Sequence, residues 1–198
     1  MENLTWQKVT KNLYTAVLIQ AAAAVLGSIF EVINLLTAPA SIAEALVTGE
    51  VGIGALDVLG FICSLAAIAG TVWFFILLGQ WKQVADANDA PAIHKLWIAS
   101  LLSMIGSVLA LIPLIGIVGG IVSLVGLVFY ILAVNALKVS TTLPENALKG
   151  ANKLFVALIL KIVGVCIAWI PVIGILGAIC AIVGWVYELL AWKDIANS

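Results

Sequence analysis

Residues 112–133 read IPLIGIVGGIVSLVGLVFYILA, and residues 170–191 read IPVIGILGAICAIVGWVYELLA. A shift of 58 positions superposes the two stretches with 12 of 22 residues identical, including the Ile-Pro-x-Ile-Gly-Ile opening and the glycine pairs Gly119/Gly177 and Gly126/Gly184. Two unrelated apolar helices rarely share a proline and every one of these glycines, so the pattern is a duplicated unit.

The medium in which that unit works follows from composition. Of 198 residues, 64% are hydrophobic and only 10% are charged, with a mean hydropathy of +1.24. A soluble domain carries about 25% charged residues. The chain therefore reads as an integral membrane protein, all-α, a polytopic transmembrane bundle forming a single domain over residues 1–198. At about 20 apolar residues per crossing, it has room for six spans. Nine lysines and no arginine leave no bidentate grip on phosphate, and nucleic acid is not expected as a partner. Cys63, Cys166 and Cys180 lie in apolar runs without metal or redox spacing, and read as small buried thiols. Lys8 and Lys11 precede an apolar run too long for a signal peptide, which reads as a retained first helix.

Taken in order, the chain gives three helical hairpins. The first covers residues 11–80, with spans over about 13–36 and 55–79. Between them Pro39 breaks the pattern, and Ser41-x-x-Glu44 has capping-box spacing, predicting a short amphipathic helix over 41–48 along the membrane surface. The polar segment 80–95 follows, in which Asp89 can cap a helix whose first turn contains Pro91. Hairpin 2 covers 91–138, turning at the apolar corner 113–116. A second polar linker contains Thr142-x-x-Glu145, another helix start, and hairpin 3 covers 150–193, with its fifth helix over about 154–169 and its sixth over 172–192.

Eight of the nine lysines (Lys8, Lys11, Lys82, Lys95, Lys138, Lys149, Lys153 and Lys193) fall on one side of a six-span arrangement, and the acidic Glu31, Glu44, Glu50 and Asp57 mark the other. The positive-inside rule then places both ends in the cytoplasm. Short loops and the absence of an organellar targeting segment suggest a bacterial inner membrane.

A third copy emerges when small residues are followed. Gly116, Gly119, Gly120, Ser123 and Gly126 map 56 residues upstream onto Gly60, Cys63, Ser64, Ala67 and Gly70, and 58 downstream onto Gly174, Gly177, Ala178, Ala181 and Gly184. Spacings of three and four put these on one helix face, where small residues let another helix approach closely. The odd helices agree, each opening on Lys11-Asn-Leu-Tyr, Lys95-Leu-Trp or Lys153-Leu-Phe. Three parallel repeats imply a rotation axis along the membrane normal.

Lys161 and Glu188 are the only charges well inside apolar spans, each costing roughly 2.5 to 3.5 kcal/mol at a helix centre. Side chains lean toward the N-terminus of their own helix, so in antiparallel neighbours these two lean toward each other and an intramembrane ion pair is expected. Under the repeat, Lys161 corresponds to Ser103 and Gln20, which would ring a shared centre at one depth. The sole histidine, His94, has neither a metal-spaced partner nor a nucleophile and reads as interfacial. No catalytic constellation, metal site or cofactor motif is present, so no enzyme is expected. Three functions remain open: an interaction or assembly module that binds lipid, other membrane proteins or its own copies through small-residue faces; a small channel or transporter using a polar track around Lys161 and Glu188; and a hairpin protein that shapes the bilayer.

Overall fold

A computed structural model describes residues 5–48, 55–110, 115–168 and 174–198. All regular structure in them is helical: α1 (Trp6–Thr48), α2 (Ala55–Val84), α3 (Ala90–Ala110), α4 (Gly116–Lys138), α5 (Glu145–Ala168) and α6 (Gly174–Ala196). Backbone polar groups have no water to bond in hydrocarbon, and a helix satisfies them within its own segment. Five stretches are long and apolar enough to cross a membrane: Trp6–Phe30, Val58–Val84, Ala90–Leu109, Gly116–Lys138 and Glu145–Ile167. α6 has 23 residues, comparable to α4, and carries Glu188, Lys193 and Asp194 in its C-terminal half. This architecture supports a multi-pass membrane protein.

Several boundaries differ from the sequence reading, among them the start of α1 at Trp6 rather than near 13 and the end of α6 at Ala196 rather than near 192. α1 does not break at Pro39: residues 41–48 are helical, but as the last turns of one 43-residue helix. Proline removes one backbone hydrogen bond at a cost of about 3 kcal/mol, and the helix continues past it. α2 and α5 also run further into the polar linkers than the apolar runs suggest, to Val84 and back to Glu145. These turns are amphipathic, and their apolar face is buried. The outer loop after Thr48 and the corners around Pro113 and Pro171 lie outside the described residues.

The chain divides into two compact units, one of Met1–Tyr14 with Phe74–Ser198, the other of Thr15–Trp73. In the first, α3 packs on α4, α4 on α5 and α5 on α6. Its buried side chains recur in register. On the even helices they are Leu77, Leu78 and Trp81, then Ala133, Val134 and Leu137, then Ala191, Trp192 and Ile195. On the odd helices Leu13, Leu96 and Leu154 are equally buried. These positions correspond under the same shifts of 56 and 58 on the even helices, and of 83 and 58 on the odd ones.

Aromatic rings join the hairpins at this end. Phe75 of α2 stacks on Trp97 of α3 at 4.8 Å, and Phe74 and Trp81 of α2 meet Trp192 of α6 edge-on at 5.2 and 6.0 Å. Trp6 meets Trp81 at 5.7 Å and donates its indole N–H to Ser198 Oγ at 2.8 Å. The hydroxyl of Ser198 passes the chain on to the Ile195 carbonyl. Away from this end many large apolar side chains are exposed, Ile117 by 82% and Ile182 by 64%, as suits side chains that meet lipid.

The Trp192 side chain is fully buried between two hairpins. Trp192→Ala should therefore lower the unfolding free energy by about 3–5 kcal/mol, the usual cost of emptying an aromatic site, whereas Ile117→Ala should cost almost nothing. Unfolding in mixed micelles, followed by circular dichroism, reads the difference; equal losses would contradict the assignment of core and lipid faces.

Candidate functional site

The third hairpin is built on glycine. A methyl group added at Gly164 of α5 would lie 2.8 Å from the Gly177 carbonyl oxygen and 2.9 Å from the Ala181 nitrogen of α6. One at Gly184 of α6 would lie 3.0 Å from the Ala157 carbonyl oxygen and 3.0 Å from Lys161 Cγ. The two backbones therefore touch where side chains are missing, which is how helices adhere when lipid is as apolar as leucine.

This close approach positions the charged pair. The aliphatic stem of Lys161 lies across Gly184, and Glu188 stands one turn further along the same face of α6. Lys161 Nζ donates to Glu188 Oε2. The side chains remain 30% and 26% exposed. The Trp185 ring centroid is 5.9 Å from the ammonium. A half-exposed, self-neutralised pair inserts far more cheaply than either charge alone.

The repeat-equivalent residues occupy equivalent local settings. Ser103 of α3 lies against Gly126 of α4, where a methyl group would sit 3.1 Å from the Ala99 carbonyl oxygen and 3.2 Å from Ser103 Oγ. In the second unit Gln20 lies against Gly70, with distances of 2.9 Å to its Cγ and 3.5 Å to the Ala16 carbonyl oxygen. Ala16, Ala99 and Ala157 thus precede Gln20, Ser103 and Lys161 by one turn each, opposite the same glycine. Gln20 Nε2 is buried without a hydrogen-bond partner. Among the described residues no hydrogen bond joins Ser103 to Lys161, whose ammonium turns to Glu188.

Of the small residues singled out in the sequence, Gly70, Gly126 and Gly184 are consumed inside their own hairpins, and Gly119 and Gly177 are buried with their carbonyls against Gly106 and Gly164. Gly116 and Gly174 begin α4 and α6. A methyl group added at Gly60 or Gly120 would have nothing within 4 Å. The partners on the odd helices, Ala16, Ala99, Ala157, Gly106 and Gly164, escaped the sequence reading. Their signal was present, since Ala99/Ala157 and Gly106/Gly164 fall under the same shift of 58 residues.

A second polar cluster joins the two linkers. Asp89 is 4% exposed. Its backbone carbonyl starts α3 by accepting from Ala92 and Ile93, in keeping with a helix start, but its carboxylate crosses to the other linker. There Ser140 Oγ donates to Oδ1 at 2.5 Å and Thr142 Oγ1 to Oδ2 at 2.7 Å. Nearby, Lys153 pairs with Asp194 at 2.6 Å, Asn146 Nδ2 donates to the Asn197 carbonyl, and Lys82 Nζ lies 3.3 Å from His94 Nδ1. Sequence spacing gave no sign of the Asp89 clasp, because its partners lie 51 and 53 residues away.

Lys161→Met should destabilise the protein by about 2 kcal/mol, less than the 3–5 kcal/mol of a sealed pair because both groups stay partly exposed. Adding Glu188→Leu should restore most of that loss. A double-mutant cycle in micelles measures the coupling, and strict additivity would show that the two charges act independently.

No protein-family model matches the chain, and no curated protein and no solved structure matches it either.

Proposed function

We propose that the chain is a non-enzymatic six-crossing membrane module, made of three parallel hairpin repeats with both ends in the cytoplasm, that works by packing its apolar outer faces against other membrane proteins or its own copies. The topology draws support from the Trp6–Ser198 hydrogen bond, since chain ends that touch sit on one side of a bilayer. The repeat draws support from burial at corresponding positions and from Ala16, Ala99 and Ala157 each facing the same glycine of their hairpin.

The observation that carries the functional reading is the sealing of the lysine-bearing end. Trp81, Leu78, Val134, Leu137, Trp192 and Ile195 are all buried there, filling the place an open aqueous path would need. The only charges deep in the spans neutralise each other within one hairpin. What the outer surface offers is shape: the open notch at Gly120, flanked by the exposed Ile117, Ile121 and Leu124 on α4. A helix with small residues of its own can enter such a notch.

The unpartnered amide of Gln20 favours a second reading, a transporter with a polar track, because a buried donor in hydrocarbon is otherwise costly. One experiment separates the two. Gly120→Leu should leave folding intact and abolish a defined oligomer or heteromeric complex in lipid nanodiscs, while proteoliposomes of the unaltered protein pass no ions. A Gln20-dependent flux, together with unchanged assembly of the Gly120 variant, would reverse the choice.

A further inference from the structure

Two lysines at corresponding positions, Lys82 and Lys138, occupy the last turns of α2 and α4, where the negative helix ends favour cations. Each reaches the odd helix of the following hairpin. Lys138 Nζ stands 3.8 Å over the ring of Phe155. Lys82 Nζ lies 3.3 Å from His94 Nδ1, and that imidazole is stacked at 5.8 Å on Trp97. Trp97 and Phe155 are themselves corresponding residues, one position after Leu96 and Leu154. In both places a lysine at the end of one hairpin reaches an aromatic side chain on the next, Lys138 over a ring face and Lys82 at a ring nitrogen.

The acids that would neutralise these lysines are committed elsewhere. Asp86, one turn beyond Lys82, accepts from the Asn88 backbone N–H at 2.9 Å. Asp89 takes two hydroxyls, Glu145 holds Lys149 at 2.7 Å and Asp194 holds Lys153. Among the described residues no carboxylate lies within ion-pair distance of Lys82 or Lys138, and half-exposed Lys95 adds a third such charge beside the first groove. At the headgroup level of a bilayer, a cation above an apolar aromatic wall meets a phosphate above an acyl chain.

We infer that the α2/α3 and α4/α5 grooves are equivalent binding sites for the headgroup phosphate of an anionic phospholipid in the lysine-side leaflet. Basic recesses between transmembrane helices bind anionic headgroups by the same charge complementarity. The inference rests on the membrane-embedded reading above but not on its assembly role.

The test uses the full chain in nanodiscs containing phosphatidylcholine and phosphatidylglycerol, with retained lipids counted by native mass spectrometry. Lys82→Gln or Lys138→Gln should each weaken phosphatidylglycerol retention about fivefold, equivalent to about 1 kcal/mol per lysine near an anionic surface. Phosphatidylcholine retention should not change, Lys82→Arg should preserve binding, and Lys149→Gln, whose lysine already has Glu145, should have no effect. Equal phosphatidylglycerol retention in the wild type and the double glutamine variant would overturn the inference. Displacement by millimolar glycerol phosphate, with no preference for the lipid, would overturn the lipid assignment in favour of a soluble anion. Lysine-dependent retention by a protein that never associates would instead count against the assembly reading alone.

Discussion

In hydrocarbon, apolar side chains gain nothing by leaving lipid for each other, so the contact that decides this structure is backbone against backbone. Gly164 meets the Gly177 carbonyl, Gly106 meets the Gly119 carbonyl, and Gly70, Gly126 and Gly184 face Ala16, Ala99 and Ala157. A single β-carbon at several of these points would push the helices apart. Once the backbones touch, the larger residues have their places assigned: isoleucine, valine and leucine turn outward, and polar residues at Gln20, Ser103 and Lys161 lie over the glycine that made room for them. Lys161 reaches Glu188 because Gly184 has no side chain in the way.

The lysine-bearing end obeys different physics. There the helices continue past the apolar runs into amphipathic turns, and burial is by size, with Trp81, Trp192, Leu137 and Ile195 closing the interior. Water is at hand, so the ordinary hydrophobic effect applies, and polar clasps such as Asp89 with Ser140 and Thr142 fix one linker on the other. Side chains thus do at this end what glycine backbones do within the spans.

These two regimes explain what could be read from the sequence. Gly126 and Gly184 were visible as a recurring register because glycine at fixed spacing survives duplication. Lys161 and Glu188 stood out because each charge is expensive where it lies. The reach of α2 to Val84 and α5 to Glu145 was not visible, since hydropathy marks where lipid ends rather than where a helix ends. Nor was the course of α1 through Pro39, because a proline followed by capping-box spacing reads as a break, whereas a helix can continue past a single proline. The Asp89 clasp and the Trp6–Ser198 bond join residues far apart in the chain, and neither spacing nor periodicity carries that information.

The division also bears on how corresponding positions differ between the hairpins. Corresponding positions keep a residue's size where backbones touch but not its chemistry one turn away: Gln20, Ser103 and Lys161 carry an amide, a hydroxyl and an ammonium, and the aromatic Phe74 and Tyr130 stand where hairpin 3 has Glu188. Close packing constrains only the volume opposite each glycine, so the residue lying over it is free to diverge provided its polarity finds a partner. In hairpin 3 the divergence is matched on both helices, lysine with glutamate. In hairpin 1 the Gln20 amide nitrogen is left without one. Three hairpins in which Gly70, Gly126 and Gly184 face Ala16, Ala99 and Ala157 therefore carry three different polar groups beside the same kind of close contact.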